Sequence, residues 1–147
     1  AASYLKIFAE NFCLPNSFHV NGEQYNRGYS NHKYKPFTLE GNFAFAAALQ
    51  EMLIQSYSGT VTLFPAIPKT WKDLSFYRLR TENGFVVSAE MKGGKVVKVR
   101  IESDKGGTIR LANPFHSDFK WNKKYKKEHN TLIIDCAPNE VIVLTMK

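Results

Sequence analysis

Apolar and polar positions along the chain follow two different periods. Residues 3–12 place Tyr4, Leu5, Phe8 and Phe12 at i, i+1, i+4 and i+8, one face of a short helix that ends before Pro15. From Leu14 to Lys35 no period is sustained, and Asn, Gly and Tyr dominate. The spacing predicts a loop of ~20 residues, a length that in a compact domain is often functional. A strong helix is then expected from Phe43 to about Tyr57, with Asn42 as its N-cap, Gly41 permitting a sharp turn before it and Gly59 as its stop. Its polar side chains, Gln50, Glu51 and Gln55, share one stripe, and the rest of its circumference is apolar. Such a helix is built to be surrounded by protein, and Ala44 and Ala46 to Ala48 allow close packing.

Beyond Gly59 the period changes to two. Thr60 to Phe64, Phe76 to Arg80, Phe85 to Met91, Val96 to Ile101, Thr108 to Leu111, Phe119 to Trp121, Thr131 to Asp135 and Val141 to Met146 read as short strands. Asn83-Gly84, Gly93-Gly94, Gly106-Gly107, Asn113-Pro114 and Pro138-Asn139 punctuate them, as expected for an antiparallel β-sandwich. The fold class is therefore α+β: a helical segment over 1–59, then a sandwich over 60–147.

Charge sharpens the division. The chain of 147 residues carries +7, and residues 1–59 hold four basic and four acidic groups, so the excess belongs to the sandwich. There Lys98, Arg100 and Glu102 alternate with Val97, Val99 and Ile101, which assigns charge to the solvent face of a half-buried strand. Lys123, Lys124, Lys126 and Lys127 surround Tyr125, but Glu128 follows and no nucleic-acid motif accompanies them. A solvated hairpin tip is expected, and no nucleic-acid partner. Cys13 and Cys136, one per segment, read as two buried thiols rather than a bridge. His19, His32, His116 and His129 show no metal-ligand spacing, and no metal or cofactor is expected. No apolar run approaches the ~20 residues of a membrane span. The chain opens on Ala-Ala-Ser inside a helical pattern without an initiator Met, which reads as the later part of a longer protein.

Candidate chemistry lies in the first segment. Polar amides and aromatics in the 14–35 loop, with His32 and Tyr34, suit sugar recognition by hydrogen bonds and ring stacking. Glu40 stands beside a helix N-terminus, where unpaired N–H groups and the dipole favour negative charge, an arrangement suited to a general base.

Phe37-Thr38-Leu39-Glu40-Gly41-Asn42-Phe43, Gln50-Glu51-Met52-Leu53-Ile54-Gln55-Ser56, Leu63-Phe64-Pro65-Ala66-Ile67-Pro68 and Trp71, in this order, resemble the carboxy-terminal part of glycoside hydrolase family 95. The resemblance runs from about Pro36 to Phe115. It implies an inverting exo-glycosidase of the α-L-fucosidase or α-L-galactosidase type. The helical segment would be the end of an (α/α)6 barrel whose earlier helices lie upstream in the same chain. The family's base lies in a Phe-x-x-Asp-Gly-Asn turn that maps onto Glu40, here one methylene longer. His32, Tyr34 and Asn42 would contact the carbohydrate substrate. The general acid would come from the earlier barrel, leaving this segment inactive alone. A periplasmic or secreted setting is implied by the resemblance only. The alternative is a non-catalytic sugar-binding or structural module using Trp71, Tyr77, Phe119, Trp121 or Tyr125. If the barrel is missing, Phe43, Phe45, Leu49 and Met52 must be covered by the β domain or by self-association as a homo-oligomer.

Overall fold

The computed structural model describes residues 1–147, which divide into two compact units, Ala1–Met52 and Leu53–Lys147. The first holds helix α1 (Ala2–Asn11), strands β1 (Val20–Gly22) and β2 (Lys33–Phe37), and helix α2 (Leu39–Leu53). Helix α1 closes with Phe12 N–H donating to Phe8 O at 2.9 Å. Its Phe8 ring stacks on Phe12, His19 and Phe45, with centroids 6.4, 4.8 and 5.7 Å apart. Tyr4, placed on the packed face by periodicity, is instead 77% exposed.

The structure corrects two expectations here. The 14–35 segment is not structureless. It carries an antiparallel bridge between Cys13 and His19 and the β1–β2 ladder, with Val20 opposite Phe37 and Gly22 opposite Lys33. The ladder leaves no apolar alternation to read because all five β2 residues are exposed. Helix α2 begins four residues earlier than expected and ends four earlier. Leu39 and Glu40 are already helical, Asn42 lies inside the first turn, and Ile54–Gln55 leave the helix as strand β3. Gly59, at φ +78°, serves the turn between β3 and β4 (Thr62–Leu63) rather than a helix stop. Burial of Ile54 in the sandwich core outweighs the helical period of that stretch.

The second unit adds β5 (Leu74–Arg80), β6 (Phe85–Lys92), β7 (Lys95–Ser103), β8 (Gly107–Ala112), β9 (Phe119–Trp121), β10 (Lys126–Glu128), β11 (Thr131–Cys136) and β12 (Glu140–Met146). One antiparallel sheet runs β5-β6-β7-β12-β9 and the other β10-β11-β8. Inward residues of both, among them Val87, Val99, Ile101, Ile109, Leu132, Ile134, Ile142 and Leu144, form one buried cluster with Ile54, Val61 and Leu63. The α+β class with a C-terminal sandwich follows directly.

The outer face of the larger sheet carries the charges. Glu102 accepts from Arg78 across the strands and from Arg100 on its own strand at 3.2 Å, and Arg80 pairs with Asp104 at 3.2 Å. Both guanidinium groups hold the Glu102 carboxyl below the usual glutamate range, against the opposing effect of burial. A bulge between Phe76 and Leu79 sets Tyr77 and Arg78 against Ser88. There Arg78 takes φ +56° and its N–H donates to Ser88 Oγ at 3.0 Å. The lysine-rich stretch is more ordered than a tip: Lys126 to Glu128 form edge strand β10, and Lys123 pairs with Glu140. An edge rich in lysine resists strand-to-strand aggregation. Both cysteines are free thiols, Cys136 buried and Cys13 half-buried.

Candidate active site

Strand β2 delivers the chain directly into α2, so the loop, the hairpin and the helix N-terminus of the first unit converge on residues 37–42. Glu40 lies in the first turn of α2 and its side chain is exposed. The turn beneath it is held from the side. Asn42 Oδ1 accepts the His19 N–H at 2.9 Å, and Asn42 Nδ2 donates to Ser17 O at 2.8 Å. Thr38 N–H donates to His19 O at 2.9 Å. His19 Nδ1 lies 2.7 Å from Thr38 Oγ1 and 3.0 Å from Thr38 O.

Asn42 therefore spends both ends of its amide on the 17–19 segment. His32 and Tyr34 are exposed, their rings 6.2 Å apart and roughly parallel. They sit at the β2 end of the hairpin, with Tyr34 inside the strand and His32 just before it. A cavity of about 290 Å³ adjoins Asn42, lined by Phe8, Ala9, Cys13, Leu14, Ser17 and Phe45 as well. Burial pushes the Cys13 thiol up, which keeps it protonated and a poor nucleophile.

Two residues that pattern reading passes over organise this region. Glu23, 1% exposed, accepts backbone N–H groups from Tyr25 at 3.0 Å, Arg27 at 2.7 Å and Gly28 at 2.9 Å. These bonds, with a further one from Tyr29, hold its carboxyl below the usual glutamate range. The carboxylate thus ties residues 24–29 into a fixed loop that closes the β1–β2 hairpin. His19 is the second. Its ring lies against Gly41 so closely that a Cβ there would stand 2.3 Å from Nδ1. A glycine in the first turn of a helix, where alanine is the better helix former, was the available signal. It marks a close approach, though not which side chain makes it.

In the sandwich, Phe119, Trp121 and Tyr125 pack on one another, with Trp121 and Tyr125 centroids 3.8 Å apart. Tyr77 is 75% exposed beside the bulge, and Trp71 borders a separate cleft of about 240 Å³ with Lys69 and Lys72. No group of three or more His, Cys, Asp or Glu side chains comes together to hold a metal.

Residues 55–144 match the C-terminal domain of glycoside hydrolase family 95. The chain belongs to glycoside hydrolase family 95. It is also similar to Alpha-L-fucosidase 2 of Arabidopsis thaliana, at 34% identity over 96 residues, 63% of this chain. The chain spans only 11% of that relative's length. The family 95 match covers the whole two-sheet sandwich as far as β12, whereas Glu40 and the hairpin lie N-terminal to it.

Proposed function

We propose that this family 95 chain is the C-terminal part of an inverting exo-glycosidase that removes α-L-fucosyl or α-L-galactosyl units from glycan side chains, with Glu40 as general base. The observation that carries the reading is the placement of Glu40. It is an exposed carboxylate in the first turn of α2, flanked by Gly41 and Asn42 and on a turn anchored through Thr38 and Asn42 to another segment.

An inverting reaction needs a carboxylate that takes a proton from water while that water attacks the anomeric carbon. A protonated carboxyl ~6.5–9.5 Å away gives its proton to the leaving oxygen. Glu40 supplies the first, and the acid belongs to the upstream barrel of the same protein. His32 and Tyr34, exposed and side by side, are suited to contact the sugar. Without the acid this segment turns nothing over. The barrel also provides the cover that Phe43, 68% exposed, and Leu49 call for. In the isolated chain a second copy takes that role, and light scattering across a concentration series reads it as growth in mass.

The test is kinetic. In the full-length protein, Glu40→Gln should lower kcat on an aryl α-L-fucoside or α-L-galactoside by about 10²–10⁴-fold, and NMR of the first-formed sugar should show the inverted anomer. Full activity in Glu40→Gln removes the assignment.

A second reading is favoured by the bulge that pushes Tyr77 outward: a non-catalytic sugar platform on the sandwich. Titration of residues 53–147 with fucosylated and galactosylated glycans separates the two. Binding that Tyr77→Ala abolishes supports the platform.

A further inference from the structure

We propose that His19 is a positioning residue for Glu40, fixing the direction of its carboxylate through the Thr38–Asn42 turn; this rests on the reading of Glu40 as the base. His19 meets the turn on both sides of Glu40, through its ring and through its backbone. Before it, Nδ1 lies 2.7 Å from Thr38 Oγ1 and 3.0 Å from Thr38 O, and the His19 carbonyl accepts the Thr38 N–H. After it, the His19 N–H donates to Asn42 Oδ1, and the ring fills the space that a Cβ on Gly41 would take.

A carbonyl oxygen only accepts, so the bond to Thr38 O places a ring proton on Nδ1. The ring itself cannot swing. It stacks on Phe8 with planes 10° apart, and Phe8 in turn packs on Phe45, one turn further along α2. Glu40 projects from a helix end that would otherwise fray. A base must hold its water in line with the anomeric carbon, and a misplacement of ~1 Å can cost about 100-fold. The clamp supplies that constraint without touching substrate.

Two substitutions separate the hydrogen bond from the packing. His19→Phe keeps a ring on Phe8 and loses the Nδ1 donor. His19→Asn loses most of the ring and keeps an N–H donor close to the Nδ1 position. Measured in the full-length protein on whichever aryl glycoside the wild type cleaves, His19→Phe should lose about 100-fold in kcat with KM unchanged, and His19→Asn should recover most of that loss. A purely packing role predicts the opposite order, and wild-type kcat in His19→Phe overturns the proposal. Should His19→Phe not fold, Thr38→Val removes the Oγ1 partner instead. A fall in kcat at constant KM supports the clamp, and wild-type kcat sinks it. Glu40→Gln is measured alongside. If it is inactive while His19→Phe is not, only the positioning role falls; if it is fully active, the base assignment falls and takes the positioning role with it.

Discussion

A carboxylate removed from water needs donors in place of the water it loses, and at Glu23 backbone N–H groups of the following loop replace it. Its carboxyl is held below the ordinary value of about 4.3. A group whose folded pKa is depressed contributes stability that is present above its unfolded pKa and disappears as pH falls through the folded one. Glu23→Gln cannot ionise and also turns an NH₂ toward N–H donors. At pH 7 it should therefore melt several degrees below the wild type. That gap should close as pH falls below the ordinary glutamate range and through the depressed value of Glu23, because the wild type then loses its charge. Melting curves at four pH values check this, and a gap independent of pH would show that the charge on Glu23 contributes nothing. Sequence alone could not nominate Glu23, because nothing in the spacing of a lone acid among Asn, Gly and Tyr shows that donors converge on it. The helix start beside Glu40 was legible because Gly41 and Asn42 mark it; that Asn42 ties down the 17–19 segment instead of capping the helix depends on contacts more than twenty residues apart.

At the scale of elements, local preference and tertiary contact disagree at Gly41, and magnitudes decide between them. Propensity alone favours Gly41→Ala by about 1 kcal/mol in a helix. Here the new Cβ would stand 2.3 Å from His19 Nδ1, inside the ring that links Phe8 to the turn. Overpacking of this kind costs about 1–3 kcal/mol. Gly41→Ala should thus destabilise by up to about 2 kcal/mol in denaturant titration, and a stabilised variant would mean that His19 moves aside freely. The same competition explains which elements were readable. Strands β8, β11 and β12 alternate between core and solvent, as do β6 from Val87 and β7 from Lys98, and Gly or Asn turns punctuate them, so period and punctuation agree. Strand β10 was not readable because all three of its residues are exposed. The end of α2 was misread because Ile54 continues a helical apolar stripe while packing as a strand residue. Only the pairing of Ile54 with Leu63, across a turn at Gly59, reveals the switch.

For the molecule as a whole, apolar burial is distributed very unevenly. In residues 1–52 only Val20 and Met52 are buried apolar side chains, and two of the other buried groups there, Asn11 and Glu23, are polar. Every other buried apolar residue belongs to residues 53–147. Since burial stabilises by about 25 cal/mol per Å² of apolar surface, the sandwich should hold most of the folding free energy. Two consequences can be measured together. Ile134→Ala, at a fully buried site between the sheets, should cost about 2–5 kcal/mol, whereas Phe43→Ala, on the exposed side of α2, should stay within about 0.5 kcal/mol at dilutions where the isolated chain is monomeric. Native-state hydrogen exchange should show the slowest amides in β6, β7, β11 and β12, with α1 and α2 opening at far lower free energy. Equal protection in the two units would contradict this, because it would require the helices to unfold only together with the sandwich. A weakly held helix pair suits the reading of Glu40: α2, apolar around most of its girth, becomes rigid enough to aim a carboxylate once protein covers Phe43 and Leu49. Protection of α2 that rises in the full-length protein, while that of β7 stays constant, would be the signature of that cover.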